Sequence, residues 1–177
     1  MLLVFPYIMG QYYLAVFLAE DGKYIRAFVN PHTYNNGAKL VEHSYNGNPF
    51  MDAIEFMLSP QGMFYKSRLV WAGDYADPEN SGDNLYTIAH QAEDKLIVIQ
   101  KKTECRFIVN HTKMLFINKD TLGDIHPLSL LTCEGNGRGG GDYHGSDEAL
   151  CGSWARDVIS MDSSDCGYTE FIHGFGK

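Results

Sequence analysis

Residues 10–30, GQYYLAVFLAEDGKYIRAFVN, decide the fold of this chain. Two segments dense in aliphatic and aromatic residues flank Asp21-Gly22, a dipeptide that suits the tight turn of a β-hairpin. The stretch therefore predicts two paired strands. Because the strands of a hairpin run antiparallel, it favours a mainly antiparallel sheet.

Helices and further strands are expected after the hairpin. The clearest helix signal lies in residues 48–60, where Asn48 can cap the first turn and Pro49 fits inside it. A second helix is predicted in residues 85–95, LYTIAHQAEDK. Further strands are predicted in residues 67–74, 96–100, 126–134 and 153–162, and a strand pair in residues 105–120. The pattern predicts an α+β fold in which one or two helices pack on the sheet.

Two sequence echoes raise the possibility of an internal pseudo-duplication. Arg26–Asn30 (RAFVN) resembles Arg106–Asn110 (RFIVN), at an offset of 80 residues. Trp71–Asp74 (WAGD) resembles Trp154–Asp157 (WARD), at an offset of 83 residues. If the echoes reflect a repeat, each half brings a strand ending in Trp-Ala-x-Asp to one sheet. The alternative is chance similarity between short segments.

The expected domain covers residues 9–162. Its possible halves are residues 9–80 and 95–162. Residues 1–8 are interpreted as an accessory segment or an upstream start, because Met9 precedes the first strong strand signal. Residues 163–177 are expected to form a C-terminal tail.

Composition and charge exclude several classes of function. The formal charge is −8, and the basic residues cluster only at Lys101-Lys102, so direct binding of duplex nucleic acid is not expected. No segment approaches the roughly 18 apolar residues of a membrane span. The four cysteines include no CxxC pair, and the N-terminus lacks the pattern of a signal peptide. We therefore expect reduced thiols in a cytoplasmic protein.

A glycine-rich segment, EGNGRGGGDYHGSD at residues 134–147, is the first candidate site. It matches GxGxxG, but the glycines that follow leave no room for the crossover helix of a dinucleotide-binding fold. Its backbone amides could still form an anion-binding nest near Asn136, with Arg138 as a bidentate contact. The alternative is a wide, packed glycine turn. Asp142 and His144 could hold a metal or act as base and orienter, or they could be ordinary loop residues.

Carboxylates near the two Trp-Ala-x-Asp segments form the second candidate site. Asp74 and Asp77 follow a predicted strand, and Asp157 ends the second segment. Paired carboxylates can perform acid and base chemistry when burial separates their pKa values, although turn residues often bond only to nearby amides. The candidate ligand-binding residues are Asp74, Asp77, Asn136, Arg138, Asp142, His144 and Asp157. We expect them to meet where the glycine-rich segment reaches the two strand ends, and no motif identifies a metal or a cofactor.

Several long motifs are similar to those of a known family. MGQYY begins at Met9, WAGDYAD begins at Trp71, and NGRGGGDY is followed by GSWARD. With these motifs the chain resembles small uncharacterised proteins of bacteria and their phages that open with MGQYY. The resemblance implies a microbial, often phage-borne protein of the (host) cytoplasm. No activity is known for that family, so the resemblance assigns no catalytic residue.

The sequence favours binding over catalysis. An acidic, aromatic-rich chain without a standard catalytic motif suits a protein that acts on a host protein or sequesters a nucleotide-like small ligand. The alternative is a hydrolase of phosphorylated or nucleotide-like substrates. In that case Asp74, Asp77, Asp142 or His144 would be the acid or base, and Arg138 would clamp the anion.

Overall fold

The computed structural model describes residues 11–135 and 143–176. Within these ranges the chain forms eight strands and four α-helices. The strands are β1 (Tyr13–Leu18), β2 (Ile25–Val29), β3 (Ser67–Gly73), β4 (Phe107–Asn110), β5 (Leu115–Asn118), β6 (Cys133–Glu134), β7 (Val158–Asp162) and β8 (Thr169–Glu170). The helices are α1 (Leu40–His43), α2 (Pro49–Leu58), α3 (Leu85–Gln91) and α4 (Pro127–Thr132).

All eight strands belong to one sheet in the order β2-β1-β3-β7-β4-β5-β8, with β6 paired to β3 beside this path. The hairpin predicted in residues 10–30 is confirmed, because β1 and β2 pair antiparallel. β3, β7, β4 and β5 continue the sheet in antiparallel pairs, and only β6 and β8 join it in parallel. The predicted α+β fold with a mainly antiparallel sheet is therefore confirmed.

β1 lies at the centre of a core that covers both faces of the sheet. Its side chains alternate, because successive residues of a strand point to opposite faces. Tyr13, Ala15 and Phe17 join the larger apolar cluster, which includes residues of α2 and α4. The three residues between and after them join a smaller cluster with Leu85 and Ala89 of α3. The sheet is thus packed between helices on both sides.

The helix α2 forms for the local reasons that its sequence indicates. The Asn48 side chain accepts a hydrogen bond from the Phe50 amide at 3.0 Å, and Pro49 occupies the first turn. This N-cap satisfies one of the free amides at the helix start. Helix α3 begins in the same way, with Asn84 accepting from the Thr87 amide at 2.9 Å.

Two of the strand predictions are wrong, the first completely and the second for most of its residues. Residues 96–100 are not a strand: Leu96 makes one bridge to Phe28, and Val98 is 51% exposed. Residues 127–132 form α4 instead, because the His126 side chain caps the Leu128 amide and proline opens the first turn. Of the predicted strand at residues 126–134, only Cys133 and Glu134 form a strand, β6.

The two Trp-Ala-x-Asp segments occupy different structural positions. Trp71 lies inside β3, whereas Trp154 lies in a turn before β7. Arg156 has a φ of +65°, which lies in the left-handed region. The chain is therefore not extended between Trp154 and Val158, where β7 begins. The expectation that both segments end strands is therefore wrong for the second one.

Residues 163–176 belong to the predicted C-terminal tail, but they contribute to the sheet and to the core. β8 pairs with β5, and Phe175 is fully buried in the larger cluster. Residues 1–8, predicted as an accessory segment, lie outside the described residues. None of the helices in the described ranges is long and apolar enough to cross a bilayer.

Candidate functional site

The predicted site residues that the structure describes do not come together in one place. Asn136, Arg138 and Asp142 lie outside the described residues. His144 is exposed, with its Nδ1 atom 3.6 Å from Glu148 Oε2. The remaining three, Asp74, Asp77 and Asp157, are aspartates at separate places.

Asp74 and Asp157 lie at opposite ends of β3. Asp74 follows the strand, where its Oδ1 accepts from the Tyr12 amide at 3.0 Å, and burial raises the pKa of its carboxyl. Asp157 lies beside the start of β3: its backbone oxygen accepts from the Leu69 amide at 3.2 Å. The Asp157 carboxylate binds Lys113 Nζ at 2.5 Å. The predicted meeting of these two carboxylates is therefore wrong, because only one of the two segments ends a strand.

Parts of both segments do meet at the start of the glycine-rich segment. β6 runs parallel to β3, with Cys133 opposite Trp71. At Gly73, a Cβ atom would lie only 2.7 Å from the backbone oxygen of Glu134, so a side chain there would collide with β6. Arg156 reaches the same place and donates to Glu134, from Nε to Oε1 at 2.6 Å and from Nη2 to Oε2 at 2.8 Å.

Arg156 is a structural cation. Its guanidinium also binds the Glu79 carboxylate and donates to the Gly22 carbonyl at 3.0 Å. The hydrogen bond to Glu134, followed by that to Glu79, raises the pKa of Arg156. Two carboxylates thus saturate this arginine, which leaves it no capacity to clamp an anionic ligand.

A cavity of about 300 Å³ opens beside this network. Asp77, Glu134 and Gly135 contribute polar groups to its wall, and Cys133 and Cys151 contribute their thiols. It is the place where a predicted site residue, Asp77, and the start of the glycine-rich segment share one cavity. The charged side chains that the described residues contribute to its wall, Asp77 and Glu134, are both acidic, so this part of the wall does not suit an anion.

A larger cleft of about 620 Å³ lies at the other end of β3. We call it the basic cleft; it is lined by Leu18, Glu20, Arg26, Tyr65, Lys66, Ser67, Arg68 and Val158. β2 supplies the arginine at 26, and the entry to β3 supplies residues 65–68. Three of the lining side chains are cationic and one is anionic.

The three cations of the basic cleft have no carboxylate partner among the described residues. Arg26 donates from Nη1 to Ser67 Oγ at 3.2 Å, and its guanidinium lies 5.0 Å from the Phe64 ring centre. Arg68 donates only to backbone oxygens, at 2.9 Å each. The Lys66 ammonium lies 5.2 Å from the Tyr65 ring centre. Their positive charge is therefore available to a ligand.

A chain of polar side chains runs from the basic cleft into the sheet. The Tyr65 hydroxyl donates to Asp162 Oδ1 at 3.0 Å, and Ser160 Oγ donates to Asp162 Oδ2. His111 Nε2 lies 2.7 Å from Ser160 Oγ. Because the serine proton points to the carboxylate, the hydrogen bond between His111 and Ser160 is donated by His111 Nε2. Burial and then the hydrogen bond to Asp162 raise the pKa of Tyr65 to about 12.

This chain is not a nucleophile triad. In such a triad the histidine lies between the serine and the carboxylate, whereas here the serine lies between them. Ser160 is also fully buried, so no substrate could reach its hydroxyl. The group orients Tyr65 at the cleft wall.

Sequence reasoning missed the three cations of the basic cleft. They come from two strands that flank β1, so their proximity depends on strand register rather than on spacing in the chain. One signal was present: Lys66 and Arg68 are two residues apart at a predicted strand start, in a chain of net charge −8. Residues two apart in a strand share a face.

The comparison with known proteins returns no relative. No family model, no curated protein and no solved structure matches the chain. The resemblance to the MGQYY proteins therefore stays a prediction.

Proposed function

We propose that the protein binds and sequesters a small, nucleotide-like anion in the basic cleft. The observation that carries the proposal is the set of three cationic side chains without carboxylate partners, Arg26, Lys66 and Arg68, in a chain of net charge −8. A volume of about 620 Å³ suits a ligand of nucleotide size.

Phosphate groups match the chemistry of this wall. Arginine presents several N–H donors in a planar fork, and phosphate oxygens accept two of them at once. Arg26 donates one hydrogen bond to Ser67. Its other N–H groups have no acceptor among the described residues, so they can bind a ligand. Because the rest of the molecule is acidic, its field concentrates anions only where cations dominate locally.

Tyr65 supports a nucleotide-like ligand rather than phosphate alone. Its ring lines the cleft, and its hydroxyl is held by Asp162 at 3.0 Å. A fixed aromatic face beside cations provides a stacking surface for a base. Lys66 has a φ of +55°, and such a backbone outlier for a non-glycine residue is more common at functional sites than elsewhere.

The cavity beside Lys101 and Lys102 is a weaker candidate for an anion. Its volume is about 350 Å³, and Asp52 lies in its wall. Lys102 Nζ is 3.3 Å from the Asp52 carboxylate, and Lys101 lies over the Phe56 ring at 5.1 Å. Lys102 is therefore paired with a carboxylate, whereas no cation of the basic cleft has a carboxylate partner among the described residues.

We favour sequestration over hydrolysis because Asp74, Asp157 and His144 are not brought together and Ser160 is inaccessible. A general acid or base must come within hydrogen-bond reach of the group it serves. No pair of the described candidates converges on the basic cleft.

The test is a calorimetric and thermal-shift titration with ATP, cyclic dinucleotides and pyrophosphate. A ligand that binds only the folded state stabilises it by about 2.7 kcal/mol when its concentration is a hundred times its Kd. The melting temperature therefore rises. We expect Arg26→Ala to abolish the rise. The matched control is Arg106→Ala, an equal loss of charge at an exposed arginine that pairs with Asp120 outside the cleft.

Lys66→Gly is a second test variant. Glycine accepts the left-handed backbone at this position, so the substitution removes the ammonium group without a conformational cost. We expect binding to weaken at least tenfold while stability changes by less than about 1 kcal/mol. Binding that survives in both Arg26→Ala and Lys66→Gly would contradict the proposal.

A further inference from the structure

Cys133 and Cys151 meet in the wall of the 300 Å³ cavity. Cys133 is the first residue of β6, and Cys151 follows a short 3₁₀ turn at Glu148–Leu150. Backbone hydrogen bonds hold the two segments together: the Gly152 amide donates to the Leu130 carbonyl at 2.8 Å, and the Trp154 amide donates to the Leu131 carbonyl at 2.7 Å. Neither of these two cysteines is part of a disulfide.

The two thiols are in direct contact. They are hydrogen bonded to each other, and Cys133 Sγ also lies 3.1 Å from the Leu130 carbonyl oxygen. A disulfide needs two side chains on neighbouring segments whose sulfurs face each other. Cys133 and Cys151 lie on neighbouring segments, line one cavity and interact through their side chains. Cys105 is half-buried and Cys166 is exposed, and neither lines this cavity.

We propose that Cys133 and Cys151 form an oxidation site, at which a low-molecular-mass disulfide such as oxidised glutathione converts the two thiols to an intramolecular disulfide. In a reducing compartment such bonds are transient and typical of redox-responsive proteins. The site is distinct from the basic cleft and does not depend on its ligand.

The order of the reaction follows from exposure. Cys151 is 9% exposed and Cys133 only 1%, so the oxidant reaches Cys151 first. The Cys151 thiolate displaces one thiol from the small disulfide and forms a mixed disulfide. The Cys133 sulfur then loses its proton, attacks the Cys151 sulfur and releases the second thiol. Two S–H bonds are lost, one S–S bond forms, and the small disulfide is reduced to two thiols.

The hydrogen bond from Cys151 and the burial of the sulfur raise the pKa of Cys133. Cys133 is therefore a poor first nucleophile, in agreement with the order given. Cys133 attacks only once the mixed disulfide holds the second sulfur beside it.

The bond would join the two ends of the segment that contains the glycine run. A disulfide across about 18 residues removes conformational entropy from the unfolded chain. We expect the oxidised protein to melt about 5–10 °C higher than the reduced one.

The experiment uses the full chain with Cys105→Ser and Cys166→Ser, which keeps only the two cysteines in question. The folded protein is incubated with oxidised glutathione, free thiols are counted after denaturation, and peptides are mapped without reduction. We expect both thiols to disappear together, one peptide to contain the Cys133–Cys151 link, and the melting temperature to rise.

Three results would overturn the proposal: two thiols that stay free, glutathione attached separately to each cysteine, or a linked protein that melts lower than the reduced form. Cys151→Ala, made in the same background, is the control. It should take up at most one glutathione and show no rise. If that variant does not fold, the two-cysteine protein alone decides the question.

Discussion

His43 shows how burial sets the chemistry of a single residue. It is fully buried, its Nδ1 donates to the Gly37 carbonyl at 3.0 Å, and its Nε2 accepts from Trp71 Nε1 at 3.0 Å. Both ring nitrogens are therefore used by the neutral form. Burial lowers the pKa of His43 to about 4.

This shift predicts a loss of stability in mild acid. The unfolded chain binds a proton at His43 near pH 6.5, whereas the folded chain does so only near pH 4. The stabilisation is complete above about 6.5 and is lost as the pH falls through about 4, up to about 3 kcal/mol. Urea unfolding across this range measures it. His43→Gln should flatten the dependence, and an unchanged slope would contradict the assignment.

Arg156 predicts a difference between arginine and lysine. Its planar fork donates two hydrogen bonds to Glu134 and two to Glu79, whereas an ammonium group has only three donors and no fork. We expect Arg156→Lys to lower the free energy of unfolding by about 1–2 kcal/mol, as measured with denaturant. The reason is that both carboxylate side chains are largely buried, with 19% of Glu79 and 28% of Glu134 exposed. Arg106→Lys, at an exposed single ion pair with Asp120, is the control and should cost less than about 0.5 kcal/mol. Equal costs would show that the fork is not needed.

At the scale of elements, Glu55 joins α2 to α4. Its Oε1 accepts from His126 Nε2 at 2.7 Å, and its Oε2 accepts from Lys119 Nζ at 2.6 Å. His126 Nδ1 accepts from the Leu128 amide at 3.2 Å and so caps α4. All of these groups are satisfied by one another. We therefore interpret this buried network as structural, although it lines a cavity of about 230 Å³.

Removing the charge of Glu55 should weaken this junction strongly. Glu55→Gln removes the negative charge and leaves one acceptor oxygen for two donors, a buried histidine and a lysine, at an expected cost of about 3 kcal/mol. Asp52→Asn is a control on the same helix, because Asp52 pairs with the exposed Lys102 and should contribute less than about 1 kcal/mol. Unfolding in denaturant compares the two, and similar costs would contradict the structural role.

Acid should affect the same junction at a lower pH than it affects His43. Although burial opposes it, the pKa of Glu55 is lowered by His126 and Lys119. A lowered carboxyl pKa gives stability that is present above the unfolded value of 4.5 and lost as the pH falls through the folded value. Glu55→Gln should therefore remove pH dependence below about 4.5, and leave the His43 range intact. If Glu55→Gln instead removed the pH dependence between about 4 and 6.5, the assignment of the two ranges to Glu55 and His43 would be wrong.

At the scale of the whole molecule, the predictions were correct for elements that depend on residues close together in the chain. The turn at Asp21-Gly22 and the cap at Asn48 gave the hairpin and α2, because each depends on neighbours in the chain. Residues 96–100 were wrong because their apolar character reflects contact with the edge of β2, not membership of the sheet. Proline after His126 was a helix-start signal that the strand interpretation of this segment overlooked.

The candidate site was harder to predict than the fold. The basic cleft depends on the register of β1, β2 and β3, which brings Arg26 beside Ser67. Register follows from how whole strands pack, and a single sequence does not state it. Motif matching instead pointed to the glycine-rich segment, most of which lies outside the described residues.

The overall charge predicts how binding responds to salt. The cations of the basic cleft are open to solvent, so added salt should screen their attraction for a phosphate. We expect the Kd for ATP or pyrophosphate to rise at least tenfold between about 0.05 M and about 0.5 M NaCl. Calorimetry at the two concentrations measures it, and salt-independent binding would indicate an apolar contact elsewhere.

The most direct test of the central claim is an NMR titration of the isotope-labelled protein with pyrophosphate and ATP, read at assigned backbone amides. We expect the largest shifts at Arg26 and at residues 66–68, and we expect Arg26→Ala to abolish them. Largest shifts at Lys101 and Lys102, or no shift with either compound, would contradict it.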